Sequence, residues 1–214
     1  MRRWLFSVSN DDGFRELQDL FFNMLRDGKA IFETASDLLF GLREVEDVRS
    51  YLFETDARIN AAEHELRRRI VVHGTVHGQG TFPSLLVLMS VAKDAERIGD
   101  YAKNLFDLAA LRPDFGVELK TLRILRHDIV ALLERAWRVY GSEDEEAAKS
   151  CLEEADRLQD ACDQLLDECL VVKGRNCAPQ VLAARHFKRV TSHTANVMTS
   201  MVMPLDKLDF HDEP

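Results

Sequence analysis

Glycine and proline are scarce in this sequence, which contains 10 glycines and 5 prolines among its 214 residues. Together they make up about 7% of the chain, whereas roughly 12% is usual for globular proteins. An all-β sandwich or barrel needs a turn every 8–12 residues or so, and turns are built largely from these two residue types. Their scarcity therefore argues against an all-β fold and favours long helices.

Long hydrophobic runs and paired cysteine motifs are also missing. No window approaches the ~20 apolar residues that span a bilayer. Residues Met1–Phe6 begin like the charged start of a secretion signal, but polar residues between Ser7 and Asp12 end the apolar part before it reaches the required ~7–15 residues. The four cysteines show no CxxC spacing, so we expect reduced thiols: Cys151, Cys162, Cys169 and Cys177. Two of them, Cys162 and Cys169, are seven apart on one helix face and are expected to be small buried side chains. These absences predict a cytoplasmic protein without direct membrane insertion.

Basic residues are outnumbered, with 28 Lys and Arg against 37 Asp and Glu and a formal net charge of −9. A protein that binds the phosphate backbone of nucleic acids needs clustered basic side chains. One short basic run, Arg67–Arg69, does not supply such a surface. We therefore expect no nucleic acid among the partners.

Apolar residues recur at steps of three and four along six long segments, which is the period of amphipathic helices. Gly74 is predicted to end the second helix, and Ser142 with Glu145 matches the S-x-x-E capping box at the start of the fifth. Pro179 suits the first turn of the sixth. The predicted helices cover residues 12–40, 43–73, 84–111, 114–140, 142–172 and 179–203.

The two halves of the sequence repeat each other. Residues 96–104 and 188–196 share an arginine, an aliphatic residue and a final asparagine in register, and residues 56–60 are similar to residues 156–160. Long helices joined by short connections pack as antiparallel neighbours. We therefore predict an all-α fold of two tandem antiparallel three-helix bundles, with residues 1–112 in the first and 113–214 in the second.

The side chains most able to carry chemistry are two acidic residues on the third predicted helix. Glu96 and Asp100 are four apart and share a helix face, and Asp56 and Asn60 form a similar pair on the preceding helix. Oxygen ligands from facing helices suit hard ions, so these four residues are candidate ligands for Mg²⁺, Mn²⁺ or iron. The alternative is a solvated face, because basic residues flank the acidic pair: Lys93, Arg97 and Lys103.

The second half has poorer ligands at the matching positions, where Lys188 replaces Glu96 and Ser192 replaces Asp100. An ammonium group repels a metal ion, so we expect metal in the first half only. Lys188 is expected to pair instead with an aspartate of the fifth helix, Asp156 or Asp160. A weaker alternative is a histidine site at His186 and His193, and another such pair, His73 and His77, is interrupted by Gly74.

Residues 93–104 resemble the E-R-I-G-D-x-A-x-N signature of the PhoU family of phosphate-uptake regulators. Residues 184–196 occupy the place of that family's second signature in degenerate form, and residues 54–60 resemble its D-x-x-I/V-N element. The resemblance implies two three-helix bundles without catalytic activity. It also implies metal binding through Glu96 and Asp100 with Asp56 and Asn60 as neighbours, but not through Lys188 or Ser192.

The resemblance further implies how the protein works. Family members repress the phosphate-starvation response and restrain uptake, together with a phosphate transporter complex and a sensor histidine kinase at the inner face of the membrane. We therefore expect a cytoplasmic regulator, peripheral to the inner membrane through protein partners and plausibly a homodimer. Two alternatives remain open: a di-metal carboxylate helical-bundle enzyme, either a hydrolase or an oxidase, and a metal-free helical adaptor.

Overall fold

The computed structural model describes residues 12–111, 119–142, 144–171 and 177–208. Over these residues the chain forms six α-helices and two single 3₁₀ turns and contains no strand, so the predicted all-α fold class is confirmed. The helices are α1 Asp12–Leu39, α2 Val45–His77, α3 Phe82–Ala110, α4 Leu119–Ser142, α5 Glu145–Val171 and α6 Ala178–Val202. Among the residues described, no helix is long and apolar enough to cross a membrane.

The helices pack in the order expected of a duplicated three-helix unit. α1, α2 and α3 contact one another, as do α4, α5 and α6. The two sets also meet, because α3 packs extensively against α6 and α1 packs against α4. The division of the chain at residue 112 stays a prediction, since the contacts show one continuous array of helices.

Aromatic side chains fill the centre of this array. Phe14, Phe21, Phe32, Phe106 and Phe187 are each almost completely buried. The rings of Phe32 on α1 and Phe187 on α6 meet edge to face with centroids 5.7 Å apart. Burial of one such side chain contributes about 1.5–3 kcal/mol to the free energy of unfolding. Because one ring comes from each half of the chain, their contact links the halves through the core.

The predicted end of α2 at Gly74 is wrong, because the helix continues for three more residues to His77. A side-chain carbon at Gly74 would lie 3.1 Å from both the Leu85 and Phe82 side chains, so this glycine allows α3 to approach. The helix ends at Gly78, whose φ of 78° is favourable for glycine and whose N–H donates to the Gly74 carbonyl.

The capping box predicted at Ser142 is also wrong. α4 extends to Ser142, whose hydroxyl donates to the Val139 carbonyl. Asp144 caps α5 instead, since its Oδ1 accepts the Ala147 N–H at 3.0 Å. Pro179 lies in the first turn of α6, as predicted. Helix α3 begins at Phe82, two residues before its predicted start. The predicted start of α4 at residue 114 lies outside the described residues.

Candidate cation site between α2 and α3

A glycine on α3 brings the two candidate helices close together. A side-chain carbon at Gly99 would lie 3.3 Å from the Ile59 side chain of α2 and 3.4 Å from the Ile31 side chain of α1. Its absence allows three helices to meet beside the signature segment. The same point would be 3.6 Å from Oδ1 of Asp56, which places that carboxylate beside the contact.

One ammonium group joins the two helices at this point. Nζ of Lys103 on α3 lies 2.9 Å from Oδ2 of Asp56 on α2 and 3.1 Å from Oδ1 of Asp100. Asn60 donates to Oδ2 of Asp56 at 3.3 Å. Burial lowers the pKa of Lys103, but its hydrogen bonds to the two aspartates outweigh burial and hold the pKa above its ordinary value. The ammonium is therefore charged at neutral pH.

The Glu96 carboxyl lies on the same side of α3 and carries an unusual proton affinity. Burial, followed by the charges of Asp100 and Glu63 and a hydrogen bond with Asp100, raises the pKa of Glu96 to about 7, against the opposing effect of Arg97. Nη1 of Arg97 lies 3.0 Å from Oδ2 of Asp100. Near neutral pH Glu96 therefore exchanges its proton, while Asp100 is held between Lys103 and Arg97.

All four residues predicted as ligands fall in this one cluster. Lys103 connects Asp56 to Asp100, Asn60 binds Asp56, and Glu96 joins through Asp100. Within the described residues, no group of three or more His, Cys, Asp or Glu side chains has a geometry that holds a metal ion. The carboxylate and amide oxygens are of the chemical type that a hard cation prefers, but the Lys103 ammonium occupies the space between Asp56 and Asp100. Binding of iron, Mn²⁺ or Mg²⁺ at this cluster stays a prediction.

In the second half, Lys188 pairs with Asp163 on α5, which lies about one helical turn beyond the predicted partner Asp160 and about two turns beyond the other, Asp156. Those two predictions are wrong for a geometrical reason. Long side chains on a helix point back toward its N-terminus, and the N-terminal part of α6 lies beside the C-terminal part of its antiparallel neighbour α5. The ammonium therefore meets an aspartate farther along α5.

The two histidines of the predicted α6 pair both lie beside the Tyr101 ring, with centroids 5.9 Å away for His186 and 5.7 Å away for His193. His193 also directs Nδ1 to Oδ1 of the fully buried Asp94 on α3 at 2.8 Å, and Asn196 donates to the same oxygen at 2.9 Å. Burial, followed by the charge of Arg185, lowers the pKa of His186. A polar contact thus joins the two halves across the α3–α6 seam.

Sequence reasoning missed this seam, although a signal was present. Asp94 lies three residues after Val91 and four before Ile98, both buried on α3. An acidic residue on the apolar face of a helix requires a buried polar partner. The pattern indicates a buried contact, but identifying His193 as the partner requires the packing of α3 on α6.

Comparison with known proteins places the cluster within a stretch that matches a known domain. Residues 14–109 match the model of the PhoU domain. Over this interval the chain is similar to PhoU proteins. The interval contains all of α2 and nearly all of α3, with the four candidate ligands and Lys103, and the resemblance predicted from the sequence is confirmed. Comparison with curated proteins found no match.

Two solved structures of PhoU proteins share the fold. One is the phosphate transport system regulatory protein PhoU from Streptococcus pneumoniae, with a TM-score of 0.73, 17% identity, and coverage of 93% of this chain and 97% of that one. The other is PhoU from Pseudomonas aeruginosa, with a TM-score of 0.79, 14% identity, and coverage of 88% and 95%. The likeness therefore extends over both halves of the chain, although the matched domain lies in the first.

Proposed function

We propose that this protein is a regulator of phosphate transport that acts by protein contacts and does not catalyse a reaction. The PhoU domain over residues 14–109 is the observation that carries the proposal. The structure from Streptococcus pneumoniae that shares the fold is described as a phosphate transport system regulatory protein. Both halves of this chain are included in that structural likeness, so the regulatory role is proposed for the whole protein.

The charge arrangement in the candidate site favours a regulator over a di-metal enzyme. Such an enzyme requires several ligands around two ions and an open coordination position for its substrate. Here Asp56 and Asp100 are both engaged by Lys103, and Asp100 is also engaged by Arg97. These contacts neutralise the carboxylates and connect α2 to α3, which is a structural role.

Metal binding is part of the proposal. Glu96, Asp100, Asp56 and Asn60 would supply oxygen ligands to iron, Mn²⁺ or Mg²⁺, and the ion would add positive charge between α2 and α3. Such charge favours the ionised form of Glu96, whose pKa burial and the neighbouring Asp100 raise. The metal would therefore strengthen the contact between two helices.

The proposed partners are a phosphate transporter complex and a sensor histidine kinase, at the inner face of the membrane. A homodimer is proposed as the form that contacts them. Each of these proposals extends the family resemblance, and the domain match supports only their common part, a connection to phosphate transport.

Deletion of the gene in the source organism tests the regulatory role. We expect the deleted strain to take up excess phosphate and to express its phosphate-starvation genes even when phosphate is abundant. The wild-type gene should restore repression. Normal uptake and normal repression in the deleted strain would contradict the proposal.

Affinity capture of the tagged full chain under phosphate-replete conditions tests the partners. We expect transporter subunits and a sensor kinase in the captured material, and recovery of unrelated enzymes without them would contradict the partner assignment.

A screen of purified, metal-loaded protein against phosphoesters and O₂ tests the alternative that the protein is a di-metal enzyme. Turnover that Asp100→Ala abolishes would establish an enzyme.

A further inference from the structure

Two of the four cysteines meet where α5 ends and α6 begins. Cys169 lies in the last turn of α5, and Cys177 is the N-cap residue of α6. Their side chains form a hydrogen bond with each other, and both residues carry free thiols. The two sulfur atoms are therefore already neighbours in the folded chain, so a bond between them needs no rearrangement of the helices.

This thiol pair lies at an open end of the helix pair α5 and α6. Cys169 and Cys177 are buried, but the two residues that follow Cys169 on α5, Leu170 and Val171, are 71% and 75% exposed. The last turn of a helix opens more readily than its centre, because fewer contacts hold it. A small oxidant can therefore reach the two thiols through a local opening at this end.

The surroundings of the two sulfur atoms give them different roles. Cys177 lies at the N-terminus of α6, where free backbone N–H groups and the helix dipole favour a negative charge. Burial, followed by the charge of Cys177 and the hydrogen bond with it, raises the pKa of Cys169. Cys177 is therefore the attacking thiol, and Cys169 supplies the second sulfur.

We propose that Cys169 and Cys177 are a reversible redox pair, which is reduced at rest and forms a disulfide when the protein meets an oxidised small thiol such as glutathione disulfide. The Cys177 thiolate attacks one sulfur of glutathione disulfide, forms a mixed disulfide and releases one glutathione, which takes up a proton. The Cys169 thiol then gives its proton to solvent, attacks the Cys177 sulfur and releases the second glutathione. Two protein thiols are thus oxidised while one disulfide is reduced to two thiols.

The new bond would fix the end of α5 to the start of α6, across a connection that now holds them without a covalent link. In a reducing compartment the glutathione pool keeps such a pair as thiols, and the disulfide forms as the pool becomes oxidised. This chemistry is independent of the role proposed for the protein in phosphate transport.

The other two cysteines of α5 are matched controls, because both are fully buried and have other neighbours. Nε of Arg135 donates to Sγ of Cys151 at 3.3 Å. Burial, followed by the charge of Asp163, raises the pKa of Cys162 to about 12, against the opposing charge of Lys188. We expect neither thiol to react in the folded protein, because the attacking species is the accessible thiolate.

Incubation of the reduced full chain with glutathione disulfide, followed by alkylation of the remaining thiols and mass spectrometry, tests the proposal. We expect the intact wild-type protein to lose the mass of two hydrogen atoms and its digest to contain a peptide that links Cys169 to Cys177. Dithiothreitol should restore all four thiols. Cys177→Ser should react about tenfold more slowly than the wild type, and Cys169→Ser should accumulate the mixed disulfide at Cys177.

Cys151→Ser and Cys162→Ser should form the disulfide like the wild type. Circular dichroism checks that each variant is folded, and alanine replaces serine at any position where the serine variant is not. A folded wild-type protein that keeps all four thiols, stops at the mixed disulfide or forms disulfides only between chains would overturn the proposal. A disulfide that includes Cys151 or Cys162 would overturn it as well.

Discussion

The two halves of the molecule use lysine differently to connect their second and third helices. In the first half, Lys103 engages aspartates on both α2 and α3, and Glu96 lies beside them with its pKa raised to about 7. In the second half, Lys188 engages Asp163 of α5. The first half thus gathers several carboxylates around one ammonium, whereas the second forms a simple ion pair. The two halves share their helical arrangement but differ in these charged contacts.

The largest expected effect tests whether the halves are separate units. Phe187→Ala removes the α6 ring that meets Phe32 of α1, and loss of a buried phenylalanine typically costs about 3–5 kcal/mol. Because the core is shared, we expect one cooperative urea transition at a lower midpoint, measured by circular dichroism. Phe53→Ala, at a position 43% exposed, should cost less. Two separated transitions in the wild type would indicate that the halves unfold independently.

Exchange of one residue between the two halves tests how closely the helices of each half must pack. In the register that aligns Glu96 with Lys188, Gly99 corresponds to Thr191, which is fully buried and donates to the Phe187 carbonyl. Gly99→Thr places new atoms against Ile59 and Ile31, so we expect a loss of about 2 kcal/mol from overpacking.

The reciprocal change Thr191→Gly is the control for this exchange. It leaves a small gap and a more flexible helix, and we expect a loss nearer 1 kcal/mol. Chemical denaturation measures both variants. A Gly99→Thr protein as stable as the wild type would show that close approach of α2 to α3 is not required.

A smaller expected effect is the pH dependence of stability that comes from the acidic cluster of the first half. The pKa of Glu96 is about 7 in the folded protein and about 4.5 in the unfolded protein, so its protonated form favours folding. This contribution to the free energy of unfolding is complete below pH 4.5 and is lost as the pH rises through 7. Glu96→Gln stays neutral. With chelator present, it should exceed the wild type in stability by about 1 kcal/mol at pH 8, after allowance for solvent screening.

The same comparison at pH 4 should show no such gain, because Glu96 is protonated in both folded and unfolded wild-type protein. Glu153→Gln, at an exposed carboxylate of α5, serves as the control from the second half. Denaturation curves at both pH values provide the measurement. A Glu96→Gln protein less stable than the wild type at pH 8 would contradict the raised pKa.

Much of the fold could be predicted from the sequence because the helices are long and strongly periodic. Apolar spacing identifies all six helices found in the described residues, and Pro179 is correctly placed in the first turn of α6. The errors in the predicted helix termini occur at residue types that have more than one structural role. Gly74 provides space for α3 and does not end α2, and Ser142 extends α4 while Asp144 caps α5.

The candidate site was only partly predictable for a related reason. Spacing along one helix places Glu96 and Asp100 on a common face, and the same spacing pairs Asp56 with Asn60 on the preceding helix. The bridging role of Lys103 depends on the rotation of α2 against α3, which a sequence period does not define. The Asp94–His193 contact likewise depends on how the two halves dock.

Anomalous scattering at the manganese edge, from crystals of the protein soaked in Mn²⁺, tests the difference between the halves most directly. We expect a peak among Glu96, Asp100 and Asp56 in the first half, and none beside Lys188 and Ser192 in the second. A peak in the second half with none in the first would contradict this account.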